Sequence, residues 1–201
     1  MPKATTDLPV LFFPTGADWE AWLVINHEIS QGAWLKFCKK SAEIKTLSRQ
    51  EAIDGALCYG WIDGQADKFD EHYWLVRFTR RKSTSPWSDI NRKRANELID
   101  QNRIKPAGLL EIERAKADGR WDKAYLPQSK ATVPDDLQAA LDANPEATKM
   151  FQLLTSVNRY AIIYRVNDAK KPETRLQRIE KFVAMLARGE TIHPQKTKPA
   201  G

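Results

Sequence analysis

An aspartate framed by two glycines is the first feature of the sequence that could do chemistry. It lies in the run Gly60-Trp61-Ile62-Asp63-Gly64, at a predicted junction between a helix and a strand. Paired glycines let a ligand approach the backbone closely, and an Asp63 that faces Arg77 could orient a polar substrate or act as a general base. Asp63 is therefore the candidate catalytic residue. The alternative is a structural ion pair, with the glycines serving turns.

A run of cations and hydroxyls at a predicted helix start is the second such feature. Residues 80–85 read Arg-Arg-Lys-Ser-Thr-Ser, and the Ser85-Pro86 pair favours a helix start there, with Ser88 as the rival cap. Cations, hydroxyls and the free N–H groups of a helix N-terminus together hold phosphate or sulfate in proteins. The alternative is a capped, solvated turn. The candidate ligand-binding residues of the two features are Trp61, Asp63, Arg77, Arg80, Arg81, Ser85 and Trp87.

Both features border a strongly basic stretch, residues 77–94. It holds seven lysines and arginines against Asp89 alone, a local excess of +6 in a chain whose net charge is also +6. Such a stretch attracts phosphate, nucleic acid or anionic headgroups, and the aromatic rings of Trp74, Phe78 and Trp87 could stack on bases. The alternative is a solvated basic face. No named DNA- or RNA-binding motif accompanies it.

Several common chemistries are excluded by the absence of their motifs. The sequence has no GxGxxG, GxSxG or HExxH pattern, and Gly55 to Gly60 lacks the lysine and hydroxyl residues of a phosphate loop. The three histidines are scattered, so we expect no metal site. Cys38 and Cys58 lie twenty residues apart in no CxxC pattern, which favours two reduced, partly buried thiols.

A β-hairpin is the element that must position Asp63 and Arg77. Period-two patterns over 61–66 and 73–79 predict its strands. A turn centred on Asp70 sets a register in which Asp63 lies opposite Arg77, with Trp74, Val76 and Phe78 on the other face.

Helices fill most of the remaining chain. Predicted are a helix near 17–29, a short strand over 33–38, a helix opened by the capping box of Ser48 and Glu51, and a helix over 106–117. Sharp starts at Pro134, Asn144 and Pro172 predict further helices. The prediction is an α+β fold, mainly helical, with a small antiparallel β-sheet and a C-terminal helical unit. Its domains are an α+β domain over 1–130, a helical unit over 131–189 packed on it, and a disordered tail over 190–201.

Length and composition agree with a globular protein. The chain has 201 residues, of which 42% are hydrophobic and 29% charged. At about 150 residues per domain this is one domain or two small ones. No apolar run approaches the roughly 18 residues of a membrane span, and the N-terminus lacks the apolar stretch of a secretory signal. We therefore expect a cytoplasmic protein with no membrane insertion.

The sequence resembles the YdeI/OmpD-associated family, the bacteriocin-protection proteins. The run Ala56-Leu57-Cys58-Tyr59-Gly60-Trp61-Ile62-Asp63-Gly64 is the most specific part of the likeness, which covers about residues 15 to 190. Further parts are residues 77–81, 87–91, 119–121, 169–171 and 173–175. One departure is Arg80, where the family often has proline. The resemblance implies a cytoplasmic bacterial protein that protects against bacteriocins, cationic antimicrobial peptides or envelope stress, with no established catalytic residue and no cofactor.

Three functions follow as hypotheses. The first is a non-enzymatic stress-protection protein that binds an anionic or polar small ligand. The second is an enzyme acting on a small polar or phosphorylated substrate, with Asp63 as base or orienting group and Arg77 or Arg81 holding charge. The third is nucleic-acid binding through residues 77–94.

Overall fold

The computed structural model describes residues 8–39 and 46–195. The chain divides into two compact units, Met1–Ala124 and Tyr125–Gly201. The N-terminal unit contains β1 (Val10–Leu11), α1 (Gly16–Asn26), β2 (Ala33–Cys38), α2 (Arg49–Cys58), β3 (Trp61–Lys68), β4 (Tyr73–Arg80), α3 (Asp89–Asp100) and α4 (Pro106–Ala117). The C-terminal unit contains a 3-10 turn (Gln128–Lys130), α5 (Asp135–Asp142), α6 (Pro145–Leu153), α7 (Ser156–Asn167) and α8 (Pro172–Ala187). The prediction of a mainly helical α+β fold is confirmed.

The sheet has four strands in the order β1-β2-β4-β3. β4 is antiparallel to both β2 and β3, whereas β1 runs parallel to β2, so the sheet is mixed. The parallel pair arises because α1 connects β1 to β2, and a crossover of this kind is what parallel neighbours need. The apolar run that contains β1 does not alternate between apolar and polar residues, so its sequence did not predict a strand.

The predicted register of the hairpin is wrong by one residue. Asp63 pairs with Phe78, and an irregularity between Asp63 and Ala66 shifts the register again. Asp70 opens the turn instead of occupying its centre, because its carboxylate accepts hydrogen bonds from the backbone N–H groups of His72 and Tyr73 at 2.8 and 2.7 Å. A slip of one residue moves side chains to the other face of a sheet.

Capping residues decide where the helices begin. The capping box of Ser48 and Glu51 is confirmed, with both reciprocal hydrogen bonds present. Of the two helix starts predicted here, the one at Ser85-Pro86 is wrong and the rival cap Ser88 is confirmed: α3 begins at Asp89, capped by Ser88. The Ser85 hydroxyl instead accepts a hydrogen bond from the backbone N–H of Lys82 at 3.0 Å, so that it closes a turn. The starts predicted at Pro134, Asn144 and Pro172 are confirmed by α5, α6 and α8.

An aromatic core holds the helices of the N-terminal unit to the sheet. The rings of Trp19 and Trp22 stack at 5.3 Å, and both meet the ring of Trp61 nearly at right angles. Gly108 brings α4 against the end of α2, because a Cβ at this position would lie 2.4 Å from the carbonyl oxygen of Cys58. The core of the unit therefore depends on a close helix approach as well as on large side chains.

A second core closes the C-terminal unit. It is formed by buried side chains of all four helices, among them Leu137, Phe151, Ile162 and Ile179. Arg175 joins three of these helices: it donates to the carboxylate of Asp136 at 2.6 and 2.8 Å and to the carbonyl oxygen of Val166 at 3.0 Å.

The chain after α8 returns to the start of α7. The buried side chain of Asn158 accepts from the N–H of His193 at 2.8 Å and donates to the side chain of Gln195 at 2.8 Å. The predicted tail over 190–201 is therefore hydrogen-bonded in its first part, and its last part, residues 196–201, lies outside the described residues. Within residues 8–39 and 46–195, no helix has both the length and the apolar composition that a bilayer span needs.

Candidate functional site

Asp63 and Arg77 do not form a site. Because Asp63 pairs with Phe78, its side chain lies on the Phe78 face of the sheet, while Arg77 lies on the other face, opposite Trp34 of β2. The carboxylate of Asp63 instead accepts a hydrogen bond from Arg49 of α2 at 3.1 Å. The predicted Asp63–Arg77 pair is wrong, so the enzyme hypothesis loses the pairing of Asp63 with Arg77.

The glycine-framed run around Asp63 is a packing element. Gly60 has a positive φ of 73°, and a Cβ there would lie 2.8 Å from the carbonyl oxygen of Ala107. Trp61 is fully buried and donates its indole N–H to the carbonyl oxygen of His27 at 3.1 Å. These contacts tie the junction between α2 and β3 to α4 and to the end of α1.

Two arginines and two tryptophans converge after β4. The guanidinium of Arg81 lies 3.6 Å from the ring centroid of Trp87 and donates to the carbonyl oxygen of Pro86 at 3.2 Å. The ring of Trp87 in turn meets that of Trp121 edge-on, with 4.7 Å between centroids. We call Arg81, Trp87, Arg120 and Trp121 the Arg–Trp cluster. Stacking of this kind lets a guanidinium be buried without losing its charge.

A tight turn, residues 82–85, is clamped at this cluster. Its ends are joined by the bond from the Lys82 N–H to the Ser85 hydroxyl and by the Ser85 N–H donating to the Lys82 carbonyl oxygen at 2.9 Å. Arg120 donates to the carbonyl oxygen of Ser85 at 2.7 Å and is held by Asp118 at 2.8 Å. The side chains of Lys82, Ser83 and Thr84 are exposed. We call residues 82–85 the basic turn.

The indole N–H of Trp87 is a buried donor within this arrangement. Trp87 is 2% exposed, and its Nε1 meets no acceptor among the described residues. Leaving a buried donor unpaired costs about 1–3 kcal/mol of folding free energy. Buried donors without an acceptor are rare in proteins, which makes the Trp87 N–H an unusual feature of this cluster.

Most of the remaining basic stretch is already engaged. Arg92 and Lys93 both bind Asp89 at 2.9 Å. The hydrogen bonds from Lys93 and Arg92 hold the pKa of the Asp89 carboxyl below its ordinary value, against the opposing effect of burial. Arg80 donates to the carbonyl oxygen of Glu28 at 2.8 Å. The charge that the sequence concentrates in residues 77–94 is therefore largely paired within the fold.

One buried ion pair was not anticipated from the sequence. Asp54 is 5% exposed and binds Arg94 through two hydrogen bonds of 2.7 and 2.6 Å. The only local signal for it is a carboxylate placed among the apolar residues of α2. Its partner lies forty positions away in the chain, so spacing alone could not reveal the pair.

Metal ligands do not cluster in the part of the chain that the structure describes: no three histidine, cysteine, aspartate or glutamate side chains come together there. Cys38 and Cys58 are both free thiols, as predicted, the first half-buried and the second buried. Burial raises the pKa of the Cys58 thiol to about 11, which makes it a poor nucleophile at neutral pH.

Comparison with known families divides the chain into the same two parts as the fold. Residues 11–111 match the model of a domain of unknown function (DUF8412), and the chain belongs to this family. Residues 130–189 match the family described as Bacteriocin-protection, YdeI or OmpD-Associated. The predicted resemblance is thus confirmed for the C-terminal segment, whereas the run Ala56 to Gly64 lies in the part that matches the family of unknown function. No curated protein and no solved structure matches the chain.

Proposed function

We propose that this chain is a cytoplasmic, non-enzymatic protein of bacterial defence against bacteriocins or cationic antimicrobial peptides, and that its N-terminal unit binds a small anion at the basic turn. The match of residues 130–189 supports the protective role. The anion site is carried by one observation: the basic turn presents an exposed cation and two exposed hydroxyls, and its end is held where Arg120 binds the carbonyl oxygen of Ser85 and Arg81 binds that of the next residue, Pro86.

The chemistry of this turn suits an oxyanion. Lys82 supplies an exposed positive charge, and Ser83 and Thr84 supply hydroxyl donors on a backbone that two arginines hold rigid. Rigid donors lose little entropy when they bind. Phosphate, a phosphate monoester or a small polycarboxylate has the required charge and acceptors.

Titration with inorganic phosphate tests the binding site. We expect the backbone N–H signals of residues 82–85 and the indole signal of Trp87 to shift in nuclear magnetic resonance spectra, and Lys82→Gln to weaken phosphate binding by about tenfold. A matched control is Lys68→Gln, an exposed lysine at the other end of the hairpin, which should bind like the wild type. Absence of shifts at the turn, or an equal loss in both variants, would refute the site.

A cellular assay tests the protective role. We expect a strain that lacks the gene to become more sensitive to bacteriocins and cationic peptides. The wild-type gene and Lys68→Gln should restore resistance, and Lys82→Gln should not. Unchanged sensitivity of the deletion strain would remove the protective role, whatever the turn binds.

Nucleic-acid binding has less support from the geometry. Arg92, Lys93 and Arg94 are held by carboxylates, which reduces the charge available for a phosphate backbone. Titrations with a single-stranded oligonucleotide at low and high salt distinguish nucleic-acid binding from binding of a small anion, because affinity that depends on the phosphate backbone of a nucleic acid falls steeply as salt rises. Steep salt dependence together with affinity far above that for phosphate would favour the nucleic acid.

A further inference from the structure

The C-terminal unit contains a cavity that no part of the proposed function uses. It has a volume of about 210 Å³ and opens between α5, α6 and the first turn of α7. Its lining consists of Gln138, Leu141, Thr148, Phe151, Gln152 and Arg159. The volume lies below the roughly 300–1,000 Å³ of sites for drug-sized ligands, which limits the part of a ligand that enters the cavity to a few carbon atoms and one polar group.

The lining of the cavity combines two apolar side chains with three uncharged polar ones and a single charge. Leu141 and Phe151 are 1% and 8% exposed and form part of the unit's core. Arg159 is the one charged residue of the lining, and no carboxylate lines the cavity. An exposed cation beside two apolar side chains suits a ligand that carries a single negative charge and a short apolar part.

The arginine is positioned but not neutralised. Its guanidinium lies 5.5 Å from the ring centroid of Phe151. It donates to the carbonyl oxygen of Gln152 at 3.3 Å, which is its one hydrogen-bond acceptor among residues 8–39 and 46–195. A guanidinium has five N–H donors, so most of them remain for a ligand. A carboxylate can take two of these in parallel.

The other polar groups of the lining are committed. Thr148 donates its hydroxyl to the carbonyl oxygen of Leu141 at 2.6 Å, and Gln138 donates its amide to Asp142 at 2.7 Å. The Thr148 bond joins α6 to α5, whereas the Gln138 bond lies within α5. Recognition of a ligand's polar group is therefore left to Arg159, with the side-chain amide of Gln152 beside it.

We propose that this cavity binds a small organic carboxylate, with the carboxylate on Arg159 and a short apolar chain against Leu141 and Phe151. A free carboxylic acid and the C-terminal residue of a peptide with an apolar side chain present the same chemistry. The site belongs to the other unit of the chain and does not depend on the anion proposed for the basic turn.

Four probes test this site on the full chain. Hexanoate represents the free acid, and acetyl-Ala-Leu with a free carboxylate represents a peptide terminus. Hexanamide and the amide form of the dipeptide are the uncharged counterparts. We expect at least one of the acids to shift the backbone signals of Thr148, Phe151 and Gln152, and its amide to bind about tenfold more weakly, because the uncharged amide cannot accept charge-assisted hydrogen bonds through a carboxylate.

Variants assign the binding to Arg159. Arg159→Gln should lower the affinity for the acid to that for its amide, while the spectrum of the variant shows an intact fold. The matched control is Arg165→Gln, an exposed arginine on the same helix that should bind like the wild type. Binding of either acid with this dependence on Arg159 supports the site, and comparison of the two acids identifies the source of the carboxylate. No binding of either acid, equal binding of the amides, or equal loss in both variants overturns it.

Discussion

Arg94 of α3 holds Asp54 of α2 through two parallel hydrogen bonds, Nε to Oδ1 at 2.7 Å and Nη2 to Oδ2 at 2.6 Å. Gln50 donates a third to Oδ1 at 2.8 Å, and Arg103 lies 3.9 Å from Oδ2. Burial opposes ionisation of Asp54, but the hydrogen bonds from Arg94 and Gln50 outweigh it and hold the pKa of the carboxyl below its ordinary value. The pair is thus a charged tie between two helices of the N-terminal unit.

Removing this carboxylate should destabilise the protein. We expect Asp54→Ala to lower the free energy of unfolding by about 2 kcal/mol, because it leaves a partly buried guanidinium without its buried partner. The measurement is urea unfolding at neutral pH. Glu97→Gln is the matched control, since Glu97 also binds Arg94 but its side chain is 57% exposed. A loss in Asp54→Ala no larger than in Glu97→Gln would show that the pair contributes little.

The same pair predicts a dependence on pH. A carboxyl whose pKa is lowered on folding contributes stability that is complete above its unfolded pKa and is lost as pH falls through the folded one. The stability difference between wild type and Asp54→Ala should therefore be constant above about pH 5 and should shrink at lower pH. Unfolding curves of both proteins across this range measure it, and a difference that grew on acidification would contradict the assigned shift.

Replacing Gly108 by alanine should destabilise the protein, although the same change inside a helix usually stabilises it. Gly→Ala inside a helix usually stabilises by about 1 kcal/mol. In α4, however, the added Cβ of Gly108→Ala would lie 2.4 Å and 2.6 Å from the carbonyl oxygens of Cys58 and Leu57. We expect a lower melting temperature as α4 is forced away from α2. Gly64→Ala is the control, because its nearest neighbour lies at an ordinary 3.7 Å. A more stable Gly108→Ala would show that the helices can separate at no cost.

Features with local causes were predictable from the sequence. The capping box of Ser48 and Glu51 needs only residues three apart, and Pro106 begins α4 because proline suits the first helical position. The alternation of residues 73–79 likewise predicts the strand whose alternate side chains Val76 and Phe78 lie in the core.

The candidate site was less predictable because it depends on register and on distant partners. Asp70 opens the hairpin turn through side-chain hydrogen bonds, and the irregularity beyond Asp63 shifts the strand further, so counting from an assumed turn centre placed Asp63 on the wrong face. Arg94 and Asp54 lie forty residues apart. Arg120 reaches Ser85 from thirty-five positions away, and no local pattern encodes either contact.

Arg175 should matter to the C-terminal unit through its geometry as well as its charge. Its planar guanidinium binds Asp136 twice and Val166 once, which a lysine ammonium cannot reproduce. We expect Arg175→Lys to lower the free energy of unfolding by about 1 kcal/mol, seen as faster hydrogen exchange in α5 and α8. The control is Arg188→Lys, an exposed arginine paired with Glu190, which should leave exchange unchanged. Equal exchange in both variants would rule out a tie through Arg175.

The two thiols should differ in reactivity. Cys58 is 2% exposed with its pKa raised to about 11, whereas Cys38 is half-buried on β2. Iodoacetamide at mildly alkaline pH should therefore modify Cys38 first, and Cys58 should react only when the protein unfolds. Mass spectrometry of timed samples, with and without urea, gives the order. Rapid modification of native Cys58 would show that the packing around α2 opens readily.

The last prediction concerns the partner of Asp63. The side chain of Arg49 is 54% exposed and that of Asp63 18%, and an ion pair this accessible couples by up to about 1 kcal/mol. A double-mutant cycle with Arg49→Gln and Asp63→Asn should show such a coupling at low salt and its loss at high salt. The matched control is a second double-mutant cycle, with Arg49→Gln and Asp67→Asn. Asp67 pairs with Leu75 and so lies on the other face of the sheet. It should show no coupling to Arg49. If Asp67 coupled to Arg49 and Asp63 did not, β3 would have to be paired one residue out of the register described here.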